Sequence, residues 1–185
     1  GGVIVDFDLD EELLAIQQAA REFAEKEIGP TVDEDDRAHR FRQDLVRKMG
    51  ELGFFASAVP EEYGGTNSGW LSLVIITEEI SRVHSSMRVA INMQVGPARA
   101  VLDFGNEQQK KQFVEKIATA KWLSCFAITE PDAGSDVGAM RTTATKDGDH
   151  YVLNGSKTWI SNAQVADVAL VYAYTDPKTK YKGMS

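Results

Sequence analysis

The apolar pattern of this chain changes period once, near Leu123, and that change constrains the fold more than any other feature. Upstream, hydrophobic residues recur at three- and four-residue intervals, the repeat of an amphipathic helix. Downstream they alternate, the repeat of a strand with one buried face. Residues 1–121 are therefore expected to form an all-α domain and residues 122–185 the beginning of a sheet domain, an α+β arrangement. No internal repeat or low-complexity tract interrupts either part.

In the helical part, Asp10 reads as an N-cap, with Glu11 and Glu12 in the first turn where the helix dipole favours acids. Leu13, Ile16, Ala20 and Phe23 share one face, and Gly29-Pro30 stops the helix. Residues 32–40 read as a charged helical turn on the surface. A helix over 43–52 turns Leu45, Val46, Met49 and Leu52 inward and closes at Gly53. After the turn-rich loop Val59-Pro-Glu-Glu-Tyr-Gly-Gly65 comes a helix over 70–83. The next runs through Phe104; its residues 87–95 are apolar almost all round, as in a helix at the centre of a fold. Asn106 and Gln109 form a capping-box pattern that starts the last helix, with Phe113, Val114 and Ile117 inward. In the sheet part, residues 123–129 and 167–175 read as strands. Asp147-Gly148 and Asn154-Gly155 are hairpin signals, which implies antiparallel pairing.

Two stretches carry candidate chemistry. Phe126-Ala-Ile-Thr-Glu-Pro-Asp-Ala-Gly-Ser-Asp136 is a strand that breaks at Pro131 into a loop of small and acidic residues. Lys157-Thr-Trp-Ile-Ser-Asn162 reads as a second strand, whose period of two places Trp159 and Ser161 on one face. An aromatic plate beside a hydroxyl, near a loop with free backbone N–H groups, suits a flat ring attached to phosphates, such as a flavin dinucleotide. Either piece alone also reads blandly, as a core tryptophan or an ordinary turn.

The totals exclude several classes. Against 28 acidic residues stand 20 basic ones, for a net charge of −8, and no basic stripe suits a nucleic acid. No apolar run reaches membrane-spanning length. The single Cys125 excludes an internal disulfide and a cysteine-rich metal site, and His39, His84 and His150 lack metal-ligand spacing. An intracellular protein is expected, cytoplasmic or, in a eukaryote, in the mitochondrial matrix. The start, Gly1-Gly2-Val3, reads as a remnant of processing or cloning.

Taken together and in this order, Thr129-Glu-Pro-Asp-Ala-Gly-Ser-Asp136 and Asn154-Gly-Ser-Lys-Thr-Trp-Ile-Ser-Asn162 resemble the two flavin-binding segments of the acyl-CoA dehydrogenases. The Pro60-x-x-Tyr63-Gly64-Gly65 loop fits the same pattern. The resemblance covers the chain but only the first half of the family's length. It implies a β-barrel-like second domain, continued beyond residue 185 and followed by a four-helix domain. It also implies FAD as cofactor, α,β-dehydrogenation of an acyl-CoA thioester, a homotetramer, and an electron-transfer flavoprotein as acceptor. In that chemistry a carboxylate removes the α-proton while the β-hydrogen leaves as hydride. The resemblance places the carboxylate beyond residue 185, so no catalytic residue is assigned here. The chain is accordingly expected to be incomplete.

By the same resemblance, Phe126, Ile128 and Thr129 meet the isoalloxazine edge, Gly134 and Ser135 approach the pyrophosphate, and Ser135 also reaches the CoA side. Trp159 covers the ring, with Ile160 beside it and Ser161 next to N5. Many relatives carry tyrosine where this chain has Phe126. Glu130 is expected to have a structural hydrogen-bonding role and Lys157 to be a solvated or structural charge. Asp132 and Asp136 must be turned away or paired if the loop is to hold an anion.

Arg88 is the only charged residue between Val83 and Ala98, counting His84 as neutral, and Asn92 lies one turn on. On pattern alone it is either a substrate-binding cation or a buried partner of Glu78 or Glu79. An Arg-x-x-x-[Ser/Asn] setting here resembles the glutaryl-CoA dehydrogenases, where it binds the distal carboxylate of a dicarboxylyl-CoA. The alternatives are a dehydrogenase for a branched, cyclic or aromatic acyl-CoA, and a non-catalytic flavin-fold module.

Overall fold

The computed structural model describes residues 7–185. The Gly1-Gly2-Val3 start lies outside the described residues. The chain divides into two compact units, residues 1–121 and 122–185.

The first unit is helical. α1 (Glu11–Phe23) begins where the Asp10 side chain accepts a hydrogen bond from the Leu13 N–H at 2.9 Å. Beyond it, a wide turn over Ala24–Ile28 and a 3-10 turn at Gly29–Thr31 lead into α2 (Val32–Arg37). Then follow α3 (Gln43–Glu51), α4 (Gly69–Val83), α5 (Ser85–Phe104) and α6 (Glu107–Ala118). The capping box at α6 is formed in both directions, Asn106 with the Gln109 N–H and Gln109 with the Asn106 N–H. α1 packs on α4, α4 on α5, and α5 on α6. Phe23 meets Phe54 edge to face at 5.7 Å. Buried Gln94 of α5 donates to the Ile117 carbonyl at 2.8 Å, which satisfies a polar group in the middle of the bundle. Tyr63 of the Tyr-Gly-Gly loop donates to Glu107, tying that loop to α6.

Leu45, Val46 and Met49 are buried as the helical spacing requires, but Leu52, expected to face inward, is exposed. The helix ends one residue before it, and Gly53 at φ +76° turns the chain away. α5 is less enclosed than its composition suggests. Met87, Ala90, Ile91 and Gln94 are buried, whereas Asn92 is exposed and Arg88 half-buried.

The second unit contains four short strands, β1 (Ser124–Ala127), β2 (Thr143–Asp147), β3 (His150–Asn154) and β4 (Val168–Val171). β2 and β3 form an antiparallel hairpin that turns through Gly148, at φ +58°, and Asp149. β1 pairs with β4, and this pairing is parallel, Phe126 opposite Leu170. A helical unit followed by a sheet unit is thus the observed fold class, with one parallel pairing that the hairpin signals did not indicate. Ala133, Met140 and Tyr174 make the unit's small core, with Ile128, Tyr172 and Met184 against it.

Two expectations for this unit need correction. Asn154-Gly155 does not turn a hairpin. Any side chain at 155 would lie 2.3 Å from the Thr142 hydroxyl, so Gly155 serves a close approach of two segments rather than a turn. Residues 155–162 are not a strand either. Trp159 at φ +58° and Asn162 at φ +65° are left-handed, which destroys the two-residue alternation on which the strand reading rested.

Candidate functional site

The two signature stretches meet although they share no strand ladder. The Thr158 N–H donates to the Thr129 carbonyl at 2.9 Å. Lys157 Nζ donates to the Ile128 carbonyl at 3.0 Å, and Asn162 Nδ2 to the Ser124 carbonyl at 3.3 Å. The loop therefore runs beside β1 and its continuation, held by three residues of the chain's own signature, Lys157, Thr158 and Asn162. The carbonyls of Ile128 and Thr129 are used in these ties. Their backbone N–H groups make no hydrogen bond among the described residues. Phe126 rests edge-on against Tyr172 of the segment after β4, ring centres 5.1 Å apart.

Glu130 lies at the centre of the ties. It is buried, and its carboxylate accepts hydrogen bonds from the Arg141 N–H at 2.6 Å and the Thr142 N–H at 3.0 Å. The Thr142 hydroxyl and the Lys157 ammonium, the latter at 2.8 Å, complete its shell. Burial alone would push this carboxyl up. The Lys157 ammonium, the Thr142 hydroxyl and the two backbone donors outweigh burial and bring it down to about 2. Lys157 is a structural charge, only 12% exposed at its side chain. Cys125 on β1 is buried, and burial raises its thiol, so it is not a ready nucleophile.

Past Pro131 the chain makes a tight turn, with Glu130 and Ala133 exchanging backbone hydrogen bonds. Gly134 and Ser135 then emerge exposed. Nothing lies within 4 Å of where a Gly134 side chain would project, and neither residue makes a hydrogen bond among the described residues. The neighbouring acids are occupied. Asp132 pairs with Arg141 at 3.1 Å. Asp136 accepts from the Gly138 N–H at 3.1 Å and the Tyr181 hydroxyl at 3.0 Å, a contact that raises the tyrosine's pKa. The exposed surface at 134–135 thus offers a pair of unspent backbone donors, beside an Asp132 paired with Arg141 and an Asp136 that keeps its charge but is turned to Gly138 and Tyr181.

Trp159 projects from the loop with 89% of its surface exposed, Ile160 is half-buried and Ser161 is exposed. A fully presented indole at a positive φ is an unusual use of a large apolar residue on an exposed loop. The residue pattern singled out Trp159 and Ser161 as flavin-site candidates but did not mark Thr142 or Tyr181. Both act across long sequence separations with no local pattern to mark them.

In the helical unit, the Arg88 side chain makes no hydrogen bond or ion pair among the described residues. Glu79, one of the two acids offered as its partner, is instead held by Arg21 at 2.7 Å and by Arg82 at 3.3 Å. Asn92 lies exposed one turn further along α5.

Residues 10–121 match the model of the acyl-CoA dehydrogenase N-terminal domain, and residues 125–185 that of the acyl-CoA dehydrogenase middle domain. This chain belongs to the acyl-CoA dehydrogenase family. The glutaryl-CoA dehydrogenase of Desulfococcus multivorans is 51% identical over 98% of the chain, which spans 48% of that protein. A solved glutaryl-coenzyme A dehydrogenase–glutaryl-CoA complex superposes with a TM-score of 0.95 at 51% identity, covering 98% of this chain and 47% of that one. A glutaryl-CoA dehydrogenase from Mycobacterium smegmatis in complex with FADH2 gives 0.87 at 31% identity, covering 91% and 44%. This acyl-CoA dehydrogenase chain therefore spans about half the length of the relatives it matches. Among its described residues no helix is long and apolar enough to cross a membrane.

Proposed function

We propose that the whole protein is an FAD-dependent acyl-CoA dehydrogenase acting on glutaryl-CoA or a similar dicarboxylyl-CoA, and that this chain supplies part of its flavin site and the distal end of its acyl pocket. Arg88 is the observation that carries the substrate class. A half-buried arginine with no ion-pair partner among the described residues leaves its five guanidinium donors for a partner of another kind. A carboxylate accepts two of them at once, whereas a hydrocarbon tail would leave the charge desolvated and unpaired. Asn92, one turn away, adds a neutral donor and acceptor.

For the cofactor, the features that fit are Trp159, Ile160 and Ser161 on the presented loop, with Phe126 on β1 and Ile128 and Thr129 in the segment that continues it. The exposed donors of Gly134 and Ser135 suit a pyrophosphate. Bound FAD would supply the hydride acceptor. The chain's own residues would cover the ring with an indole, offer backbone N–H groups to its polar edge, and exclude water from one side. The carboxylate base, the electron-transfer flavoprotein as acceptor and the homotetramer belong to the same reading of the whole protein.

The test is Arg88→Met in the full-length, flavin-replete protein. kcat/KM for glutaryl-CoA should fall by at least about thirtyfold, the low end of what losing one partner of a desolvated charge pair costs. Activity on a neutral acyl-CoA of similar length should fall less or rise. Equal losses on both substrates would remove Arg88 from the acyl pocket and leave a dehydrogenase of unassigned substrate.

A further inference from the structure

The loop at 155–162 has no strand ladder to hold it, yet it must present Trp159 in one place. Its ties to the β1 segment are few, and only one of them is ionic, the Lys157 contact with Glu130. Glu130 is fixed from the other side by the Arg141 and Thr142 N–H groups and the Thr142 hydroxyl. One carboxylate thereby joins the end of β1, the start of β2 and the loop two residues before Trp159. Lys157 completes the arrangement by donating to the Ile128 carbonyl next to Thr129. Both charges are shielded from water, with side-chain exposures of 12% for Lys157 and 5% for Glu130. Satisfied buried pairs of this kind are rigid, and removing either partner strands the other charge.

We propose, on the strength of the FAD reading above, that Glu130 and Lys157 are positioning residues of the flavin site. The pair sets the separation between the segment 128–129, just after β1, and the indole of Trp159. It also cancels, at the ring's edge, a lysine charge that would otherwise bias the flavin. Neither residue touches the ring; each acts through the segment it holds. The two roles have separate signatures. Geometry governs how tightly FAD is held. Charge balance governs its midpoint potential, because an uncompensated cation favours the electron-rich reduced ring and an uncompensated anion disfavours it.

The experiment uses the full-length protein with Glu130→Gln, Lys157→Met and both together. FAD dissociation constants are measured by flavin fluorescence well below the melting temperature of each apoprotein, and midpoint potentials on the flavin-loaded forms. Each single substitution should weaken FAD by on the order of tenfold, and the double should be no weaker than the worse single, as expected for two residues acting as a unit. The potential should rise in Glu130→Gln, fall in Lys157→Met and return towards the parent value in the double. A structural tie alone would lower melting temperatures without opposite shifts in potential. Unchanged FAD affinity, or potentials that move together or not at all, would overturn the positioning role. If the unsubstituted protein holds no FAD, the cofactor reading itself fails, and this one with it.

Discussion

At φ +58°, Trp159 occupies a region that costs an L-residue about 1–2 kcal/mol. Its side chain recovers little of this by packing, since 89% of its surface is exposed. Strain at an exposed aromatic points to use rather than folding. Trp159→Gly should therefore leave the stability of the apoprotein unchanged or slightly raised, a result opposite to that of removing a core tryptophan. The same substitution should weaken FAD by about fivefold or more, since a stacked aromatic contact contributes on the order of 1 kcal/mol beyond its area. Denaturant unfolding of the apoprotein and flavin titration measure the two effects separately. A clear loss of apoprotein stability would mean that the indole packs against protein, and the plate assignment would go.

Among the elements, those set by local chemistry could be read from the chain. The Asp10 cap, the Asn106 capping box, the turn at Gly148 and the inward faces of α1 and α3 each follow from residues within four positions of one another. The loop at 155–162 could not be read. It alternates like a strand on paper, but tertiary ties at Ser124, Ile128, Thr129 and Glu130 fix it in another shape. The parallel β1–β4 pairing joins residues 44 apart in sequence, and no turn signal reports it. For the site the same division holds. Residue types in the signature named the candidates, while the bonds that place them run from Glu130 to Thr142 and Lys157.

This dependence on Glu130 makes a prediction for the sheet unit. The folded carboxyl lies at about 2, below an ordinary value of 4.5. Its contribution is fully present above about pH 4.5 and is lost as pH falls through 2, because protonation removes the acceptor of the Lys157 charge. The size is on the order of 3 kcal/mol, from about 1.4 kcal/mol per unit. Hydrogen-exchange protection at the Thr142 and Thr158 amides, corrected for intrinsic rate, should drop across that window. In Glu130→Gln it should be lower throughout and lack this acid-dependent step. A step that persists in the variant would assign the titration to another group.

At the scale of the whole molecule, the two proposed functions lie on different units. Arg88 is in the helical unit and Trp159 in the sheet unit, so on this proposal recognition of the acyl tail and retention of the flavin would be encoded separately. Well-separated side chains that share no partner contribute additively, within about 0.3–0.5 kcal/mol. Arg88→Met should therefore change the ratio of kcat/KM for glutaryl-CoA to that for a neutral acyl-CoA while leaving the FAD dissociation constant as it was. Trp159→Ala should do the reverse, weakening FAD and lowering both kcat/KM values by one factor, so that their ratio stands. The double substitution should show the selectivity of the first and the flavin affinity of the second. The measurement is a double-mutant cycle on selectivity, with FAD added to saturation so that occupancy does not enter. Coupling well above 0.5 kcal/mol would show that the indole and the guanidinium sense the same part of the substrate, which separate roles for tail and ring do not allow.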